Sequence, residues 1–175
     1  VKEKSQGTSV RVRVSPTPYY IHILGKTFTY LIICVIQFLL MVAVGVYLFP
    51  YMDLPQFDVT GKMFNLIIVT LFAGLAAIGF GVLLGTIADT QEQSAPFGAT
   101  SVVVLAAVGG IWVPVFLMPE FMQKIAAFSP MNWGLNAYYD IILRNSGIGE
   151  ISKELIFLFL FYVAMVAISL FYERK

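Results

Sequence analysis

MFNLIIVTLFAGLAAIGFGVLLGTIA, residues Met63–Ala88, contains no Asp, Glu, Lys, Arg or His. An α-helix rises about 1.5 Å per residue, so roughly 20 residues cross a hydrocarbon core about 30 Å thick. Phe28–Phe49, Thr100–Met118 and Leu155–Tyr172 are equally free of ionisable side chains and reach or nearly reach that length. The expected fold is an all-α membrane protein, a polytopic bundle of four transmembrane helices. A secondary transporter or proton pump usually keeps an ionisable group at membrane depth. These stretches keep none, so any driving force is expected from outside the membrane.

Composition agrees. With 59% hydrophobic and 12% charged residues and a mean hydropathy of +0.84, the chain is excluded from the ordinary soluble globular class. A net charge of +1 without a basic stripe argues against a nucleic-acid partner. The single cysteine, Cys34, forms no intrachain disulfide and belongs to no zinc-ligand spacing.

Basic residues near the spans set orientation. Lys2, Lys4, Arg11, Arg13 and Lys26 precede the first span, and Arg174 and Lys175 follow the last. Lys62, Lys124, Arg144 and Lys153 fall on the other side, among Asp53, Asp58, Glu120, Asp140, Glu150 and Glu154. Both ends of the sequence are therefore expected in the cytoplasm. The divisions are a cytoplasmic interfacial segment 1–27 and a transmembrane domain 28–175. Spans are expected at about 28–49, 63–88, 100–118 and 155–172, with an external helical loop at 119–153. The chain lacks an initial Met and a signal-peptide core, which suggests a fragment of a longer protein.

Local signals refine this outline. Pro16 and Pro18 break the polar N-terminal segment, with a short interfacial helix before them and a new helix near Tyr19. Ala77, Gly81 and Gly85 lie four apart on one face of the second span, a small-residue row suited to close helix packing. In the loop, Phe121, Ile125 and Phe128 recur at helical spacing. Asn132 is placed to cap a second short helix, Trp133–Arg144, with Leu135, Tyr138, Tyr139 and Ile142 on its apolar side. Two short amphipathic helices between spans read as a re-entrant or interface-lying pair. Asp140 and Arg144 are spaced for an i,i+4 ion pair.

Motifs for chemistry are weak. Gly25-Lys26-Thr27 resembles the end of a phosphate-binding loop, but Tyr20 stands where that loop needs Gly. The chain is not expected to bind ATP. His22 has no carboxylate or serine partner nearby in sequence. Gln37, in the middle of the first span, either bonds to another helix or faces a substrate path.

Several features occur in a recognisable order: Glu3-Lys4-Ser5-Gln6-Gly7-Thr8, Ser15-Pro16, Gly25-Lys26 opening a span, and Thr90-Gln91-x-Gln93-x-Ala95 after a Gly-rich span. Pro119, Ser129-Pro130-Met131-Asn132-Trp133, Tyr138-Tyr139 and Arg144 precede the last span. This series resembles the permease subunits of ABC-2 type transporters, exporters of the type V architecture. The resemblance implies the C-terminal four-span portion of a six-span, dimeric permease. It places Glu3, Gly7, Thr8, Ser15 and Pro16 in a coupling helix that docks on an ABC-type ATPase. It assigns Pro119, Pro130, Trp133, Tyr138 and Arg144 to the external re-entrant loop. ATP and Mg would sit on the ATPase, with no cofactor in this chain. The other expected partners are a second permease copy, identical or not, and membrane lipid. The implied function is ATP-driven efflux of a hydrophobic or amphipathic substrate across a bacterial cytoplasmic (inner) membrane, with this chain a transport subunit and not an enzyme. The alternative is a polytopic channel or scaffold subunit not coupled to ATP. An intramembrane enzyme would need a nucleophile–base pair or metal cluster that the spans lack.

Overall fold

The computed structural model describes residues 19–54, 59–88 and 90–173. Six α-helices follow one another: α1 (Tyr19–Ala43), α2 (Met63–Ile87), α3 (Gln91–Val108), α4 (Glu120–Ala126), α5 (Pro130–Arg144) and α6 (Ser152–Glu173). No strand occurs among the described residues. Residues 1–18, including the expected interfacial helix and Glu3, Gly7, Thr8, Ser15 and Pro16, lie outside them.

Three helical stretches are long and apolar enough to cross a membrane: Ile21–Met52, Met63–Ile87 and Ser152–Tyr172. The first is longer than α1 because the helix runs on through a π turn, Val44–Leu48, and a 3₁₀ turn, Phe49–Met52. Pro50 has no N–H to offer the Val46 carbonyl, and its ring crowds that position. The helix widens there before Asp53, at φ 54°, ends it.

α2 is the hub. It is apolar on every side, as a helix surrounded by neighbours or lipid must be. It packs most extensively on α6, then on α1 and α5. Leu66 and Val69 of α2 meet Ala137 and Ile141 of α5 and Ile151 and Leu155 at the start of α6 in one buried cluster. At the far end, the Ser169 hydroxyl lies 2.6 Å from Thr86 Oγ1. Because Thr86 gives its own proton to the Val82 carbonyl, Ser169 is the donor. α2 and α6 therefore run parallel, and α1 runs against them, with Thr27 Oγ1 3.3 Å from the Tyr162 hydroxyl.

The close approaches run through glycines other than those expected. A Cβ on Gly79 would stand 2.9 Å from the Tyr162 ring and 3.2 Å from the Tyr162 backbone, and one on Gly74 would stand 3.3 Å from Leu31. On the Ala77/Gly81/Gly85 face, Ala77 and Gly81 are exposed, and a Cβ on Gly81 or Gly85 would meet nothing within 4 Å. That row makes no packing seam inside the described chain.

The stretch Thr100–Met118 also differs from its expected form. α3 begins nine residues earlier, where Thr90 Oγ1 accepts the Gln93 N–H at 3.2 Å. It carries Pro96 inside and stops at Val108. Gly110, at φ +91°, turns the chain, and a 3₁₀ turn follows at Val115–Leu117. Apolar composition continues through the turn although the helix does not. With Gln91, Glu92, Gln93 and Ser94 in its first turn, α3 falls outside the set of helices apolar enough to span.

Candidate functional site

The α4–α5 pair is the most distinctive part of the bundle, and α5 positions it. Ser129, with extended backbone, stands at the N-cap of α5 and Pro130 at its first position. The cap is thus Ser129 rather than the expected Asn132, because Pro at the first position lacks a donor that would otherwise go unpaired. α5 ends at Asn145 in the left-handed conformation, its N–H bonded to the Asp140 carbonyl.

α5 runs antiparallel to α2 from the end that holds Lys62. There, Lys62 Nζ donates to the Ile142 carbonyl at 2.8 Å, so a cation caps the negative end of α5. One turn and more further in, the Tyr138 hydroxyl lies 2.8 Å from Thr70 Oγ1. Further still, a Cβ on Gly134 would stand 3.9 Å from that of Ala73. Trp133 tilts against Phe157 and Phe161 of α6, with ring centroids 5.2 and 6.5 Å apart, and its Nε1 donates to the Ala127 carbonyl at 2.7 Å. α5 therefore descends alongside α2 for about 15 Å of helix rise. Its deep end meets the end of α3, where a Cβ on Gly109 would stand 2.5 Å from Met131 Cβ.

The expected loop residues divide by depth. Trp133 and Tyr138 are brought into the bundle as described. Pro119 is the N-cap of α4, and Pro130 begins α5. Arg144 is largely exposed and donates to Asp140 Oδ1 at 2.8 Å, as its spacing predicts. An exposed pair of this kind contributes little stability. Phe121, Ile125 and Phe128 of the α4 region are exposed rather than packed inward. α5 buries Gly134, Ala137 and Ile141 and leaves Tyr139 half exposed, so its inner face is rotated from the one expected. Gln37 is exposed. Thr70 and Asn136 were not singled out by sequence reasoning, and Lys62 was read only as a charge in the orientation balance. Lys62 had a signal, a lone cation at a helix start, but its partner is a backbone carbonyl, which no residue pattern marks.

The Thr70–Tyr138 bond has a direction. Thr70 Oγ1 also bonds to the Leu66 carbonyl at 2.7 Å, which takes its only proton, so Tyr138 donates. Thr70→Val leaves that buried donor unpaired, at a cost of about 1–3 kcal/mol. Tyr138→Phe removes donor and need together, and Thr70 keeps its Leu66 bond, so it should cost under about 1 kcal/mol. Denaturation of the purified protein checks this order; an equal or larger loss for Tyr138→Phe would reverse the assignment. Among the described residues no group of three His, Cys, Asp or Glu side chains comes together to hold a metal.

Three helices long and apolar enough to cross a membrane define a multi-pass membrane protein. Its sequence matches that of the ABC-2 family transporter proteins over residues 1–171, and the chain belongs to that family. It is 31% identical over 86 residues to the linearmycin resistance permease protein LnrN of Bacillus subtilis, covering 49% of this chain and 22% of the relative. It is 25% identical over 156 residues to YbhR of Escherichia coli K12, named as a probable multidrug ABC transporter permease, covering 88% and 40%. YvfS of Bacillus subtilis aligns with all of this chain at 24% identity, over 68% of its own length. The matched part is thus less than half the length of LnrN or YbhR. No solved structure matches the chain.

Proposed function

We propose that this chain is the transmembrane part of a permease subunit of an ATP-driven ABC-2 exporter, which moves a hydrophobic or amphipathic substrate outward across the bacterial cytoplasmic membrane. The observation that carries the reading is the family match over residues 1–171. The absence of ionisable side chains from 28–49, 63–88 and 155–172 agrees with energy supplied by a separate ATPase. The names of LnrN and YbhR, a linearmycin resistance and a multidrug permease, support an amphipathic substrate. On this reading both ends lie in the cytoplasm, the Lys62 end of the bundle faces out, and α3 with residues 111–118 makes the fourth crossing. Glu3, Gly7, Thr8, Ser15 and Pro16 contact the ATPase, which holds ATP and Mg. A second permease copy completes the path, and the open Ala77/Gly81/Gly85 row is available to it.

Transport in proteoliposomes tests the reading. The full-length permease, with the ATPase encoded beside it, should move a rhodamine dye only with hydrolysable ATP. An ATPase lacking its phosphate-loop lysine should abolish the movement. Dye flux independent of ATP would make the protein a channel, and failure to bind any ATPase would make it a scaffold.

A further inference from the structure

The exposed surfaces of the long helices are apolar at depth, as a lipid-facing surface must be. On α6 they are Ile156, Phe157, Phe159, Leu160, Val163 and Ile168. On α1 only Gln37 interrupts a run of exposed Ile, Leu and Met from Ile32 to Met41. α5 breaks this pattern. At about 100° per residue, Asn132, Asn136, Tyr139 and Leu143 share one face, opposite Gly134, Ala137 and Ile141. Asn136 is exposed, Tyr139 is 50% exposed, and Asn132 lies behind them, nearly buried at 8%. Among the described residues the Asn136 side chain makes one bond, a 3.3 Å donation from Nδ2 to Asn132 Oδ1, which leaves its amide oxygen and a second N–H open.

These groups are not at the bundle rim. Tyr138, beside Tyr139, bonds to Thr70, about 10 Å of helix rise below Met63. Asn136 is deeper. An open amide facing lipid at that depth costs several kcal/mol. Water on this face removes the cost. The charge near the stripe is already neutralised, because Asp140 is paired with Arg144. What remains is a neutral amide and a phenol.

We propose that the Asn136–Tyr139 face of α5 lines a water-filled section of the export path and hydrogen-bonds the neutral hydroxyl or amide groups of an amphipathic substrate. The proposal rests on the permease reading for the word path. Its test needs neither ATP nor the ATPase, so its failure is separable from failure of export.

The full-length permease, with Cys34 and any other cysteine replaced by Ser, receives single reporters Asn136→Cys, Tyr139→Cys and Ile156→Cys and is reconstituted in lipid vesicles. Ile156, 56% exposed, marks the lipid side at the same depth, since its neighbour Leu155 shares a buried cluster with Ala137, the neighbour of Asn136. A charged, water-soluble methanethiosulfonate should modify the reporters at 136 and 139 and spare the one at 156. Protection of both α5 reporters means that lipid or protein covers the face, and modification of all three means that α5 lies outside the bilayer. Either result overturns the proposal. In the second arm, a diazirine-bearing alkyl glucoside is cross-linked below its micellar concentration. Asn136→Leu with Tyr139→Phe should weaken its half-saturation about tenfold, the scale of two lost hydrogen bonds. Unchanged half-saturation, with the double variant as stable as the parent, overturns the binding role.

Discussion

Gly79→Leu should destabilise the permease by about 2–3 kcal/mol or more, whereas Gly81→Leu, two positions away, should leave its stability unchanged. At Gly79 the added carbon meets the Tyr162 ring at 2.9 Å and the Tyr162 backbone at 3.2 Å. The ring can rotate, but the backbone of α6 can only move away. Overpacking of this kind costs about 1–3 kcal/mol when neighbours adjust, and here a whole helix has to shift. It would also draw Tyr162 from Thr27 and disturb the Thr86–Ser169 bond. Gly81 opens onto empty surface. The thermal midpoint of the purified permease reads the difference, and equal midpoints for the two variants would refute the assignment of the α2–α6 seam. If the Ala77/Gly81/Gly85 row serves the second copy, Gly81→Leu lowers the dimer fraction while sparing the midpoint.

Glu3→Lys with Gly7→Leu should reduce transport and permease-stimulated ATP hydrolysis about tenfold or more, for a loss of about 1.4 kcal/mol or more in docking. Glu3 supplies a charge and Gly7 permits close backbone approach, so the pair removes both recognition and fit on the proposed coupling helix. Insertion should be normal because no apolar span is touched. If the segment serves only topology or anionic lipid, this double variant transports normally and neutralising Arg11, Arg13 and Lys26 is the damaging change. ATPase stimulation and dye transport measured for both sets separate the two.

The parts of the fold that were legible in the sequence are those where one physical requirement dominates. Charge-free length marked α1, α2 and α6, because lipid tolerates little else over about 30 Å. At 100–118 charge-free length did not coincide with one helix, because Gly109, Gly110 and Pro114 turn the chain without adding polarity. The start of α3 was hidden for the opposite reason: Thr90 caps a helix whose first turn is polar, and Pro96 lies inside it. In α2, small residues occur on more than one face, so spacing could locate a smooth row but not the neighbour that uses one. Gly74 and Gly79 carry that contact because Leu31 and Tyr162 stand opposite them, a tertiary fact. For α5 the helix, its Asp140–Arg144 pair and its amphipathic character were readable. Which side faces inward was not, since Tyr138 and Tyr139 are chemically alike and only the acceptor on Thr70 distinguishes them.

The contact between Gly109 and Met131 has a consequence for how this protein can vary. It pins the two ends of segment 110–130 together, so the chain between them is a closed loop. For a flexible loop, closure entropy grows only logarithmically with length, and doubling costs about 0.6 kcal/mol. The registry of α2, α5 and α6 is fixed by Lys62, Thr70 and the buried cluster around Leu66 and Ile141, none of which lies in the loop. Exposed positions within it, such as Phe121 and Phe128 of the α4 region, can therefore be exchanged or made to carry a label while α2, α5 and α6 keep their places.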